Sequence, residues 1–130
     1  MDFRDFGNQT IHDSIVQAAA ERLDATKYTV YINPGQQKNT AVGSEYPDIV
    51  VTPKGSNVVQ FIIEVETADS VNENEAVQWK TYSQLGGTFY ILVPHGSLQA
   101  ARSICFRRAI AARFASYWWD ENRQVQIRYD

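Results

Sequence analysis

Two short runs, Tyr46-Pro47-Asp48-Ile49-Val50-Val51 and Phe61-Ile62-Ile63-Glu64-Val65-Glu66-Thr67, constrain this chain more than any other feature. Both are β-branched and apolar, so both read as strands buried on at least one face. Each also carries carboxylates where packing alone asks for none. Asp48 opens the first strand. Glu64 and Glu66 stand two residues apart on the second and therefore point to the same face of the sheet. A carboxylate withdrawn from water without a partner costs several kcal/mol. A divalent cation is the simplest compensation for three of them near one strand pair.

The remaining elements follow from periodicity and turn signals. Thr10 and Asp13 suggest an N-cap and an acidic capping box for a first helix running to about Thr26. On it His12, Ile15, Val16, Ala19 and Leu23 share one face, while Glu21 lies nearly opposite. Tyr28 to Ile32 is a β-rich run stopped by Asn33-Pro34-Gly35. The polar stretch from Gln36 to Glu45 reads as a loop at the rim of the carboxylate cluster. The Asp48 strand ends at Pro53, and Lys54-Gly55-Ser56-Asn57 turns the chain into a strand from Val58 to Glu66.

A helix then ends near Leu85, before Gly86-Gly87. At about 100° per residue, Tyr82 falls close to Gln78, whereas Lys80 falls about 200° away. With Gln78 and Tyr82 facing the carboxylates, Lys80 points toward solvent. Thr88 to Val93 is the most apolar strand and the expected centre of the sheet. A long helix is expected from Ser97 to Tyr117. Trp118 to Asn122 breaks it, and Val125 to Tyr129 forms an edge strand. Together these elements predict an α/β fold: a central mixed sheet of four to five strands flanked by helices, in the order αβββαβ with a C-terminal αβ unit. The first three strands form an antiparallel meander, and the fourth is reached by a helical crossover.

At 130 residues the chain is expected to form a single domain, 1–130. A hydrophobic fraction of 44% with 21% charged residues is ordinary for a globular protein. No apolar run approaches the ~20 residues that span a bilayer. Met1-Asp2-Phe3-Arg4-Asp5 lacks signal-peptide character, and the single cysteine, Cys105, allows no internal disulfide. A cytoplasmic protein with no membrane partner is the expectation. The net charge of −3 weighs against strong nonspecific binding of nucleic acid. Basic residues are nonetheless concentrated late in the chain, from Arg102 to Arg128. No Ser-His-Asp, P-loop or zinc-ligand spacing supports another catalytic class.

Pro47-Asp48, Glu64-Val65-Glu66 and the helical Gln78-Trp79-Lys80-Thr81-Tyr82 together resemble the PD-(D/E)xK nuclease superfamily, the restriction-endonuclease-like fold. The last run is similar to the Q-x-x-x-Y motif of its RecB-like exonuclease branch. The resemblance covers roughly residues 8–95. It implies a metal-dependent nuclease in which Asp48, Glu64 and Glu66 are catalytic. Mg²⁺ or Mn²⁺ is held by Asp48, Glu64 and the Val65 carbonyl. His12, Gln78, Tyr82 and Lys80 are the implied substrate-side residues, with His12 standing where related nucleases carry a glutamate on the first helix. Nucleic acid is the implied partner, DNA before RNA, with self-association left open. Glu66 departs from the pattern, because the family carries lysine there. Lys80 is the one residue on the following helix that could replace it. The alternative is a catalytically silent module of the same fold that binds nucleic acid or protein. The arginines of residues 102–128, with Tyr117, Trp118 and Trp119, could form its contact surface.

Overall fold

In the computed structural model, residues 6–35 and 38–130 are described, so the Met1–Asp5 segment and Gln36 and Gln37 of the rim loop lie outside them. Six strands form one mixed sheet in sequence order: β1 (Tyr28–Ile32), β2 (Ile49–Pro53), β3 (Phe61–Val65), β4 (Thr88–Pro94), β5 (Arg113–Trp119) and β6 (Val125–Tyr129). The first three make the expected antiparallel meander, with Val30 opposite Val51 and Ile49 opposite Ile63. Helix α2 (Ala76–Ser83) carries the chain from β3 over to β4, which lies parallel to β3 with Glu64 beside Ile91. Helix α3 (Leu98–Arg108) makes a second crossover to β5, again parallel, and a turn at Asp120 returns the chain as the antiparallel edge strand β6.

Both faces of the sheet are covered, as parallel strands require. Helix α1 (Phe6–Glu21) lays Ile15, Val16 and Ala19 onto Ile49, Val51, Ile63, Val65 and Leu92. Helices α2 and α3 pack Ala76, Trp79, Tyr82, Ala101 and Ile104 against Ile62, Phe89, Ile91 and Val93 on the opposite face. Strand β4 contributes to both cores and lies between β3 and β5, near the middle of the sheet. No helix among the described residues is long and apolar enough to cross a membrane.

Two expectations are corrected at the ends of helices. Helix α1 is already under way before Thr10, so Thr10 and Asp13 do not cap it, and it ends at Glu21. Helix α3 stops at Arg108, and the segment read as its continuation to Tyr117 is mostly strand β5, which raises the strand number to six. The reversal occurs at Ala109, which adopts the left-handed conformation (φ 55°, ψ 47°), while the Ile110 amide reaches back to the Cys105 carbonyl at 2.9 Å. That is a left-handed C-cap closed by alanine in place of the usual glycine. Beyond it, Phe114, Tyr117, Trp118 and Trp119 supply β-propensity that helix-favouring Ala111 and Ala112 mask in the sequence.

A left-handed alanine costs roughly 1–2 kcal/mol, offset in a glycine variant by about 0.4–1 kcal/mol of extra unfolded-state entropy. Ala109 is exposed and its methyl contributes little packing. Ala109→Gly is therefore expected to stabilise the protein by roughly 0.5–1 kcal/mol, read as a rise of a few degrees in thermal midpoint.

Candidate active site

The register of the β2–β3 hairpin decides where the carboxylates go. Pairing Ile49 with Ile63 sets Asp48 opposite Glu64, one step beyond the last paired residues of β2. There the side chains take over from the ladder. The Asp48 amide donates to Glu64 Oε1 at 2.8 Å, and the Val65 amide donates to Asp48 Oδ2 at 2.8 Å. Each carboxyl group thus accepts a main-chain N–H from the other's strand, so neither buried amide is left without an acceptor.

Helix α1 delivers His12 to this clasp. Its Nε2 lies 3.0 Å from Asp48 Oδ2, and its Nδ1 lies 3.0 Å from Asp13 Oδ1. The ring is 2% exposed. A neutral imidazole donates at one nitrogen only, so its tautomer sets which of the two carboxyl groups receives the N–H. Asp13 also accepts from the Gly35 amide at 3.0 Å and from Gln9 at 2.9 Å, tying the helix to the turn after β1.

Glu66 lies two residues past Glu64 and is 1% exposed. It is bound by donors. The Trp79 indole N–H of α2 reaches its Oε2 at 2.8 Å, and the Ser70 hydroxyl reaches its Oε1 at 2.6 Å. The Glu66 carbonyl accepts the Tyr117 hydroxyl at 2.9 Å, and its amide donates to the Leu92 carbonyl, so β3 is fastened to β4 and β5 just past its end. Neither Trp79 nor Ser70 was marked out by the motif. The cue in the sequence is Trp79 itself, inside the Gln78–Tyr82 run and three residues from Ala76 and Tyr82, the other buried positions of α2.

That spacing shifts the inward face of α2 from the one expected. Trp79 and Tyr82 are buried, whereas Gln78 is exposed and reaches the cluster only by donating to the Tyr82 hydroxyl at 3.0 Å. Tyr82 lies near Glu64 and Asp48. Burial first, and then these two carboxylates, push its hydroxyl's proton affinity up. Lys80 turns away and donates to the Ala109 carbonyl at 2.7 Å. His12, Asp48, Glu64, Glu66 and Tyr82 are brought together, Val65 lends its amide, and Gln78 and Lys80 stay at the margin.

Electrostatics follow from the crowding. Glu64 is raised well above its ordinary value, by burial first and then by Asp48 and Glu66. Among the described residues no three His, Cys, Asp or Glu side chains are grouped so as to hold a metal on their own. Two hard oxygen donors, Asp48 and Glu64, do stand side by side. That donor set fits Mg²⁺ or Mn²⁺, which commonly take one or two carboxylates and fill the other positions with water and phosphate oxygens. Comparison with family models, curated proteins and solved structures returned no match.

Two outcomes are expected. Because Glu64 holds its proton more tightly folded than unfolded, the stability this contributes is complete below about pH 4.5, its ordinary value. It is lost as pH rises through the elevated folded value. Glu64→Gln removes this term, so in EDTA its thermal midpoint should exceed that of the parent at pH 8 and converge on it toward pH 4.5. Trp79→Phe keeps most of the ring but withdraws a donor from a buried carboxylate. It should cost roughly 2–4 kcal/mol, through the hydrogen bond lost from a buried carboxyl group and the lost volume, as measured by urea unfolding.

Proposed function

We propose that the protein is a metal-dependent nuclease of PD-(D/E)xK type, which hydrolyses phosphodiester bonds with Mg²⁺ or Mn²⁺ at Asp48 and Glu64. One observation carries the reading: two buried carboxylates from adjacent strands clasp each other's backbone, and the proton affinity of Glu64 is raised by burial and then by Asp48. Burying like charges side by side opposes folding unless a proton or a cation joins them. The meander and the α2 crossover also agree with the order of elements that the resemblance implies.

A divalent cation, when bound, polarises a phosphoryl oxygen and acidifies a water. The chain's own residues do the rest. Asp48 and Glu64 present oxygens in a fixed geometry, because each also accepts a main-chain N–H. His12 holds Asp48 from the α1 side, with Asp13 fixing the ring in turn. The Val65 carbonyl is the third donor that the resemblance implies. The Tyr82 hydroxyl, steered by Gln78 at the rim, stays protonated and can donate to a phosphate oxygen.

Glu66 favours a second reading. At the family's lysine position stands a carboxylate engaged by Trp79 and Ser70, and Lys80 is occupied at Ala109. With a carboxyl group there in place of lysine, the same fold can serve as a catalytically silent module that binds nucleic acid or protein.

The two readings separate in one set of assays. For a nuclease, Mn²⁺ binding is measurable by calorimetry, weakens at low pH as Glu64 takes up its proton, and is lost in Asp48→Asn. Cleavage of plasmid or single-stranded DNA in Mg²⁺ or Mn²⁺ falls by at least about 100-fold in the same variant. Absence of both Mn²⁺ binding and cleavage in the parent protein leaves the silent module.

A further inference from the structure

Strand β2 begins just past Asp48. Along it Val50 and Thr52 alternate with Ile49 and Val51, which face α1. Val50 pairs with Ile62, which belongs to the core under α2 and α3, and with Tyr31 on β1. Here the sheet is roofed by Thr40, Ala41 and Val42 before β2 and by Asn57 and Val59 before β3. Between roof and sheet lies a cavity of about 260 Å³, lined by Tyr31, Val42, Val50, Thr52, Asn57 and Val59 among others.

The roof is pinned. Asn33, 3% exposed, accepts from the Asn39 and Thr40 amides at 2.8 Å, and its own amide donates to the Thr40 and Pro47 carbonyls. Val42 and Glu45 close a small bridge through reciprocal main-chain bonds. The wall is therefore built in advance of any ligand. One feature of the cavity is unresolved within the protein. Thr52 is 4% exposed, yet its Oγ1 has no hydrogen-bond partner among the described residues. Buried polar atoms are nearly always paired.

We propose that this cavity seats one heterocyclic base of a nucleic-acid strand whose phosphodiester lies at Asp48 and Glu64; the assignment of that strand rests on the nuclease reading. The volume lies just below the roughly 300 Å³ at which sites for drug-sized ligands begin, so it suits one ring system. Aliphatic walls from Val42, Val50 and Val59 suit a flat apolar face. The Tyr31 ring at the exposed edge offers a stacking surface. The Thr52 hydroxyl, with the Asn57 amide at the rim, suits a base's polar edge. Val50 stands two strand residues, roughly 7 Å, from Asp48, a span that one nucleotide bridges. A base can enter only when unstacked, so the substrate class is single-stranded nucleic acid or a flipped nucleotide.

The test is methyl and amide NMR in EDTA, titrating the nucleoside 5′-monophosphates and a short single-stranded oligonucleotide. Shifts are expected at Val42, Val50, Thr52 and Val59. Thr52→Val, which keeps shape and removes the hydroxyl, should weaken mononucleotide binding about fivefold without lowering the thermal midpoint. Val59→Trp, which fills the cavity, should abolish binding. Absence of shifts at these residues, or unchanged binding in both variants, overturns the proposal. Cleavage assays separate this from the nuclease reading. DNA cleavage without shifts in the cavity removes the base site and leaves the nuclease. Shifts that Thr52→Val and Val59→Trp weaken, from a protein that cleaves nothing in Mg²⁺ or Mn²⁺, keep the base site and remove the nuclease.

Discussion

The reciprocal contact between Asp48 and Glu64 is the constraint on which the rest of the molecule depends. Past the last β2–β3 pair, strands normally diverge and their amides turn to solvent. Here the Asp48 and Val65 amides stay buried because two side chains supply the acceptors that a longer ladder would have provided. The two carboxyl groups therefore extend the sheet by one step, through oxygens that accept these amides. The His12 ring from α1, the Tyr82 phenol from α2 and two main-chain amides converge on it, and Glu66 adds a third carboxyl group nearby. A site held this way is rigid before any ligand arrives, and part of its acidity is already committed to structure.

Glu66 extends the same logic and explains why a change to lysine there is not a simple restoration. A lysine would bring an ammonium against the Trp79 N–H and the Ser70 hydroxyl, leaving the indole without its acceptor. A change at this position thus involves at least three residues: Glu66 just past β3, Trp79 on α2 and Ser70 on the 3-10 turn between them. Any catalytic use of the position has to begin from a carboxylate already bound by two donors.

Local chemistry made some parts of this legible and competing signals hid others. The meander and its carboxylates could be read because β-branched runs, the Asn33-Pro34-Gly35 stop and the Lys54-Gly55-Ser56-Asn57 turn all agree. The meeting of Asp48 and Glu64 could not be read, because one step of register separates contact from opposite faces, and only the pairing of Ile49 with Ile63 fixes it. Strand β5 was hidden because alanine fills the left-handed cap at Ala109 and recurs at Ala111 and Ala112, so helix propensity ran on past the true end. On α2 the motif spacing pointed to Gln78, yet burial of the large Trp79 ring set the rotation of the helix. Its neighbour Gln78 was carried to the rim, and Lys80 to the far flank. The Thr52 cavity left no sequence signal, since it is shaped by a roof whose anchor, Asn33, reads simply as part of a turn.

The burial of Trp79 also has an optical consequence. The chain holds three tryptophans, and Trp118 and Trp119 are partly open to solvent near the end of β5. Trp79 alone is fully enclosed, with its indole hydrogen on a carboxylate. Its emission is therefore the blue-shifted component, shielded from a collisional quencher such as acrylamide, while the other two are quenched. An excited indole is sensitive to charge at its nitrogen, so this shielded component is a built-in gauge of the ionic state of the Glu66 end of the cluster. It can be read on the unmodified chain, without label or substrate.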